Sequence, residues 1–218
     1  MKLLLSLLLT IAIVTVFISL SDLGLQISYG QNVLQNFTAP KFGISIQYPV
    51  DWTFVENVYE DRDYRPGEPR AYLGELCPTA SIEMLLGASS CSGLDVPVSV
   101  TIHTFKLPED TTTKQFYDDS IVPLMEASKE TVGRKNIETS EIDISGLSAI
   151  QRVERIGGGN IDKLLEGTGH ETTTSKAISV YLANGSTGYQ IFASVDNEED
   201  YDDYLPTIQK MMGSVKIE

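Results

Sequence analysis

Cys77 and Cys91 are the only thiols in the chain, and they close a loop of about 15 residues. In an oxidising compartment such a pair reads as a disulfide, and a loop of that size adds about 3 kcal/mol in the chain-entropy model. Two free buried thiols are the alternative. Pro78, Ser89, Ser90 and Ser92 speak against it, because they place both cysteines in turns. Histidine is equally scarce, with only His103 and His170. Two imidazoles without neighbouring cysteines give neither an HExxH nor a Cys2His2 spacing, so the sequence holds no structural zinc pattern. Both histidines read as surface or half-buried residues. There is no G-x-S-x-G nucleophile elbow. Gly157-Gly158-Gly159-Asn160 lacks both the G-x-G-x-x-G spacing and a following Walker lysine, so it reads as a hairpin loop rather than a phosphate cradle. The sequence therefore offers no catalytic and no cofactor-binding set.

The densest chemistry lies in residues 196–203, where six carboxylates fall within eight positions. Hard oxygen donors at this density suit Ca²⁺, with Asp196, Glu199, Asp200 and Asp203 as the candidate ligands. The order of an EF-hand is absent, and no glycine supplies its sharp turn. The competing reading is electrostatic: acids at a helix N-terminus offset the positive end of its dipole, with Asp196 as the cap and Glu199 near the third helical position. Two further triplets, Asn36-Phe37-Thr38 and Asn184-Gly185-Ser186, match the glycosylation acceptor pattern at Asn36 and Asn184. Trp52, with aromatics at 54 and 59, could stack a ligand, but a tryptophan resuming a strand reads as core.

The elements that would position these groups follow from periodicity. Phe42, Ile44, Ile46 and Tyr48 share one face of a strand, and Trp52–Glu56 resumes it after a turn at Pro49-Val50-Asp51. Residues 57–70 are charged and rich in proline, which predicts an exposed loop, and Ser81–Leu86 reads as a short strand. Val98–Phe105 alternates cleanly. Phe116, Ile121, Leu124 and Met125 predict a helix that starts at Thr111-Thr112-Thr113 and bends at Pro123. Strands are expected over 136–144 and 149–156 about Gly146, and a hairpin over 177–183 and 188–195 turns at Asn184-Gly185. Tyr201, Tyr204, Leu205, Ile208, Met211 and Met212 fall at i, i+3, i+4, i+7 spacing and predict a last helix. Val215-Lys216-Ile217 then adds an edge strand.

Composition bounds the class. The 218 residues carry 30 acids against 16 bases, a net charge of −14. That excess argues against nucleic-acid binding, which needs a basic stripe to displace phosphate counterions, and it disfavours an anionic lipid surface. A chain of this length builds a core without a metal or cofactor. From Leu3 to Leu20 the chain is uncharged behind Lys2, a run between the length of a signal-peptide core and that of a spanning helix. It reads as a cleaved signal peptide, with a retained membrane anchor through residues 3–20 as the alternative, and both place the remainder outside the membrane. No cysteine follows the run, which excludes a lipid-modified lipoprotein.

Three blocks carry a resemblance. Phe37, Phe42-Gly43-Ile44-Ser45-Ile46, Tyr48-Pro49 and Asp51-Trp52 are similar to the opening of PsbP-type domains, especially secreted archaeal ones. Ile144-Ser145-Gly146-Leu147-Ser148-Ala149 resembles the family's central hairpin. The run from Tyr204-Leu205-Pro206 to Met211-Met212, with Ser214 and Lys216-Ile217, resembles its terminal helix and strand. The resemblance implies an α+β fold, an antiparallel sheet of about six strands with helices packed on both faces. Its named members are an extrinsic photosystem II subunit that assists calcium and chloride retention and a Ran-binding nuclear-transport factor, so it also implies a binding protein rather than an enzyme. Residues 57–96 depart from the pattern and read as an insertion bearing the disulfide.

The expected organisation is a signal or anchor over 1–30, a tether over 31–36, and one domain over 37–218. The expected function is an exported, non-catalytic domain that binds a protein partner at or near the cell surface, without a cofactor. The alternatives are a solute- or calcium-binding protein and a hydrolase whose site assembles only in space.

Overall fold

A computed structural model describes residues 33–56, 70–79, 91, 96–157, 159 and 174–218. In chain order its elements are β1 (Leu34–Ala39), β2 (Ile44–Pro49), β3 (Trp52–Glu56), β4 (Arg70–Pro78), β5 (Val98–Lys106), α1 (Thr113–Phe116), a π-turn (Tyr117–Ile121), α2 (Val122–Val132), β6 (Lys135–Ile144), β7 (Leu147–Ile156), β8 (Ser175–Asn184), β9 (Thr187–Val195), α3 (Tyr201–Gly213) and β10 (Lys216–Ile217). The signal or anchor run, Ser81–Leu86, His170 and most of the glycine loop lie outside the described residues.

Turn chemistry sets the large sheet. Ser145 and Gly146 both take positive φ, 54° and 81°, the two-residue turn whose twist matches that of paired strands. It joins β6 to β7 in register, with Ile144 opposite Leu147. The β8–β9 loop is Gly185-Ser186, with Asn184 paired to Thr187 and Gly185 at φ 59°. The turn therefore sits one residue later than Asn184-Gly185, with the glycine in the first loop position. Together the strands form an antiparallel seven-stranded sheet in the order β3-β4-β5-β9-β8-β7-β6, and β1-β2-β10 form a second, three-stranded sheet. The fold is α+β as expected, with one more strand in the main sheet than the six anticipated and a small sheet beside it.

One face of the main sheet is covered over its central strands, while β6 at the edge stays largely exposed. Val98, Val100 and Ile102 of β5, Ile178, Val180 and Leu182 of β8, and Ile191 and Ala193 of β9 pack against Ile44 and Ile46 of the small sheet and against α3. The predicted stripe of α3 holds: Tyr201, Ile208, Met211 and Met212 are buried, and Tyr204 and Leu205 pack at its margin. Each fully buried side chain of this kind contributes roughly 1.5–3 kcal/mol before entropy is counted. Trp52 is 5% exposed and belongs to this core.

The other face is covered over half its area by α1, the π-turn and α2. Thr112 caps α1 in a reciprocal box with Gln115. Phe116, Tyr117, Ile121 and Met125 then bury against Phe105, Ile150 and Tyr181. Phe116 to Ile121 is a step of five, which the π-turn takes up, and Pro123 enters at the first turn of α2, where its missing N–H costs nothing. That shift in register leaves Leu124 at 56% exposed, off the face the sequence gives it.

Two expectations are corrected. Leu34–Asn36 are not tether but the first half of β1, which pairs with β2 along its whole length. Arg70–Pro78 is not part of an inserted loop but a strand inside the main sheet, between β3 and β5. Its alternation is broken by a bulge between Tyr72 and Gly74. Gly74 is required there: its φ is 150°, and a Cβ would lie 2.4 Å from the Phe54 ring. Cys77 is consequently a buried strand residue rather than a turn residue, bonded to Cys91 and packed with Val96 and Val55.

Candidate functional site

The half of the sheet face beyond α1 and α2 is lined with polar residues. Ser99, Thr101 and His103 point to it from β5, where Val98, Val100 and Ile102 point to the core. The paired residues of β9, Ser194, Phe192 and Gln190, lie on the same face. Arg70 and Glu75 of β4, Arg134 from the segment after α2, and Val96, Cys91 and Asp196 complete an open cleft of about 400 Å³.

Its charges are unevenly satisfied. Glu75 is 5% exposed, accepts the Cys91 N–H at 2.6 Å and hydrogen-bonds Tyr72, whose phenol is pushed well above its ordinary range first by burial and then by that carboxylate. The disulfide thus delivers a backbone donor to a buried carboxylate. His103 stacks beside Tyr72, with ring centroids 5.2 Å apart. Burial and the nearby Arg70 guanidinium push its pKa down to about 4, against a smaller opposing pull from Glu75, so the imidazole is neutral at pH 7. Its Nδ1 is buried without a hydrogen-bond partner. Arg70 is exposed at the rim and forms no ion pair among the described residues.

Arg134 is the hinge between the cleft and the core. Its Nη1 donates to Glu154, whose side chain is fully buried, and Arg152 Nε lies 3.4 Å from the other Glu154 oxygen. The guanidinium also sits over the Phe192 ring at 5.9 Å, while its Nε is buried and unpartnered. Gly133 positions it. That residue ends α2 at φ 68°, and a Cβ there would lie 2.3 Å from the Gly157 carbonyl oxygen. The backbone of the first glycines after β7 thus packs directly on the α2 C-terminus, with Gly157 N–H donating to Val132 O at 3.1 Å.

The acidic stretch lies at the far rim. Asn197, not Asp196, caps its first turn, accepting from Glu199 N–H, while the Asp196 amide donates to the Pro97 carbonyl at 3.0 Å. Glu198 pairs with Arg155. Asp196 and Glu199 are exposed, Asp200 half-buried and Asp203 exposed. Among the described residues no three carboxylates, histidines or cysteines are placed to hold a metal. Asn36 is exposed on β1, and Asn184 Nδ2 donates to the Glu218 carbonyl at 3.4 Å. Of the cleft residues, the sequence singles out His103, Asp196 and Cys91 but not Arg70, Glu75, Arg134 or Gln190. A signal was present: two central strands with one polar face each, in a sheet expected to be covered on both sides, imply an uncovered or hydrophilic cleft.

No family model matches the chain, and no curated protein matches it in sequence. Solved structures do. The PsbP protein of Synechocystis sp. PCC 6803 superposes with a TM-score of 0.54 over 85% of this chain and 92% of its own, at 14% identity. The fold is that of PsbP. The Ran-binding protein Mog1p of Saccharomyces cerevisiae shares it, with a TM-score of 0.50 over 85% of this chain and 95% of its own, at 9% identity. At such identity the PsbP likeness extends to the arrangement of strands and helices and no further. The cleft chemistry described above belongs to this chain's own residues.

Proposed function

We propose that this is an exported, non-catalytic binding domain that recognises a protein partner at or near the cell surface through the open half of its main sheet. The observation that carries the reading is the cleft itself: a polar, partly charged face left on a sheet whose other surfaces bury apolar side chains. Such concave faces are the default recognition sites of a fold. Export is supported by the Cys77–Cys91 bond. Among the described residues no helix is long and apolar enough to cross a membrane. The PsbP-like and Ran-binding neighbours support binding by analogy of fold.

A catalytic role is disfavoured on chemical grounds. A general base works best with a pKa near the operating pH, whereas His103 is held near 4 and its Nδ1 meets no hydroxyl or carboxylate. The test is site-specific photo-cross-linking in the native envelope, with the probe at Ser194 in the cleft and a control probe at Asp202 on α3. A discrete adduct from Ser194 alone, reproduced with the purified partner, supports the reading. Equal labelling from both positions sinks it.

A further inference from the structure

We propose that the cleft seats a small organic monocarboxylate, its charged head between Arg70 and His103 and its apolar body along Phe192. This goes beyond recognition of a protein partner and stands whether or not that partner is found. The head site follows from the donors. Arg70 is exposed at one end of the cleft with no ion pair among the described residues, and its planar guanidinium can hold a carboxylate through two parallel N–H donors. His103, beside it on the neighbouring strand, has a buried Nδ1 with no partner. Gln190 lies opposite His103 on β9 and closes that end. A bound carboxylate supplies the counter-charge that Arg70 lacks, with the His103 ring at its flank.

The body follows from the floor. Phe192 lies one cross-strand row along the cleft, with the Arg134 guanidinium above it, and Val96 lines the far end. Glu154 fixes the fork of Arg134, and the unpartnered Arg134 Nε is buried rather than open to the cleft. A volume of about 400 Å³ suits a ligand of modest size, since drug-sized sites begin near 300 Å³. Charge sets the valence. Glu75 and Asp196 share the cleft with Arg70 and Arg134, and both acids are engaged, Glu75 with the Cys91 amide. Two arginines face two acids in the cleft, so no net positive charge is left to hold a dianion, while the exposed Arg70 can still take one anionic head.

The experiment uses the disulfide-intact protein, titrated at pH 7 with butyrate, its neutral isostere butyramide, and inorganic phosphate. Binding is read by calorimetry and by the imidazole resonance that disappears in His103→Gln. The expected result is saturable butyrate binding in the range of about 1 mM, with a shift of the His103 resonance. Butyramide and phosphate should bind at least about tenfold more weakly. Arg70→Gln should lose at least about tenfold in affinity with an unchanged melting temperature, since the side chain is exposed and unpaired. Lys216→Gln, on the small sheet, should leave binding intact. Butyramide or phosphate binding as tightly as butyrate would overturn the proposal. So would affinity retained in Arg70→Gln, or no saturable response up to about 50 mM butyrate.

Discussion

Changing Glu154 to Gln removes the negative charge on which two arginines converge and keeps the shape of the side chain. Glu154 is fully buried, with Arg134 and Arg152 side chains 24% and 13% exposed against it. Taking one member from a buried ion pair strands its partner in a poorly solvated place, a loss of about 3–5 kcal/mol. Three features put this site at the lower end. Arg134 can turn toward the cleft and find water. Arg152 keeps the Tyr117 hydroxyl at 3.3 Å. The new amide still offers one acceptor oxygen. We expect a loss of about 3 kcal/mol, or a fall in melting temperature of roughly 6–12 °C for a domain of this size. Urea unfolding of the oxidised protein at pH 7 measures it. Arg134→Met in the same background should cost less than in the wild type, because its charge is already unmatched. A loss below about 1 kcal/mol would show that the triad is solvated, and would refute Glu154 as the anchor of Arg134.

Reducing the Cys77–Cys91 bond should lower stability by about 3 kcal/mol and strip Glu75 of its Cys91 donor. Because Cys77 lies within β4, amide exchange should rise along β4 and β3 and not in a peripheral loop alone; unchanged exchange there contradicts the assignment. Gly133→Ala should cost well over 1 kcal/mol through its positive φ and the clash with Gly157, whereas Gly146→Ala, in open space, should cost only about 1 kcal/mol from backbone strain; paired thermal melts decide it. His103 is neutral in the fold with a pKa of about 4, below the unfolded value near 6.5. As pH falls from about 6.5 to about 4 the unfolded chain takes up a proton that the folded one refuses, so stability declines across that window and is unaffected by His103 above it. His103→Gln should flatten that part of the profile, and an unchanged slope would place its source in other groups.

How much of this the sequence discloses depends on whether one period runs unbroken. Val98–Lys106, the β8–β9 hairpin and the α3 stripe keep a single periodicity end to end, and the structure places each strand and helix there, with only the β8–β9 turn one residue later. β4 hides because its bulge shifts the buried set from Ala71 and Leu73 to Leu76 and Cys77, so neither face reads as alternating. Leu124 is misassigned because a π-turn inserts an extra residue between two good helical segments. β1 is short and polar at Gln35, Asn36 and Thr38, and only its partner β2 makes it a strand. The cleft is the least legible part. Its residues come from Arg70 through Asp196, and polar side chains on a strand look the same whether they face bulk water or a concave site.

The small sheet ties the beginning of the domain to its end. β2 pairs with β10, Ser45 opposite Lys216 and Ile44 opposite Ile217, and Ser214 Oγ accepts the Gln47 amide at 2.8 Å. The Glu218 amide closes on the Gly43 carbonyl at 2.9 Å. The β6-β7-β8-β9 meander, by contrast, is built from hairpin neighbours and can form as soon as its own residues are available. Because ordering a long intervening chain must precede the reward of a distant contact, the sheet that holds Ile44 and Ile46 is among the last parts to settle. Until residues 214–218 are in place, that apolar surface lacks one partner strand. A partly folded chain therefore presents β2 with one unpaired edge, and the step that seals it is the docking of β10.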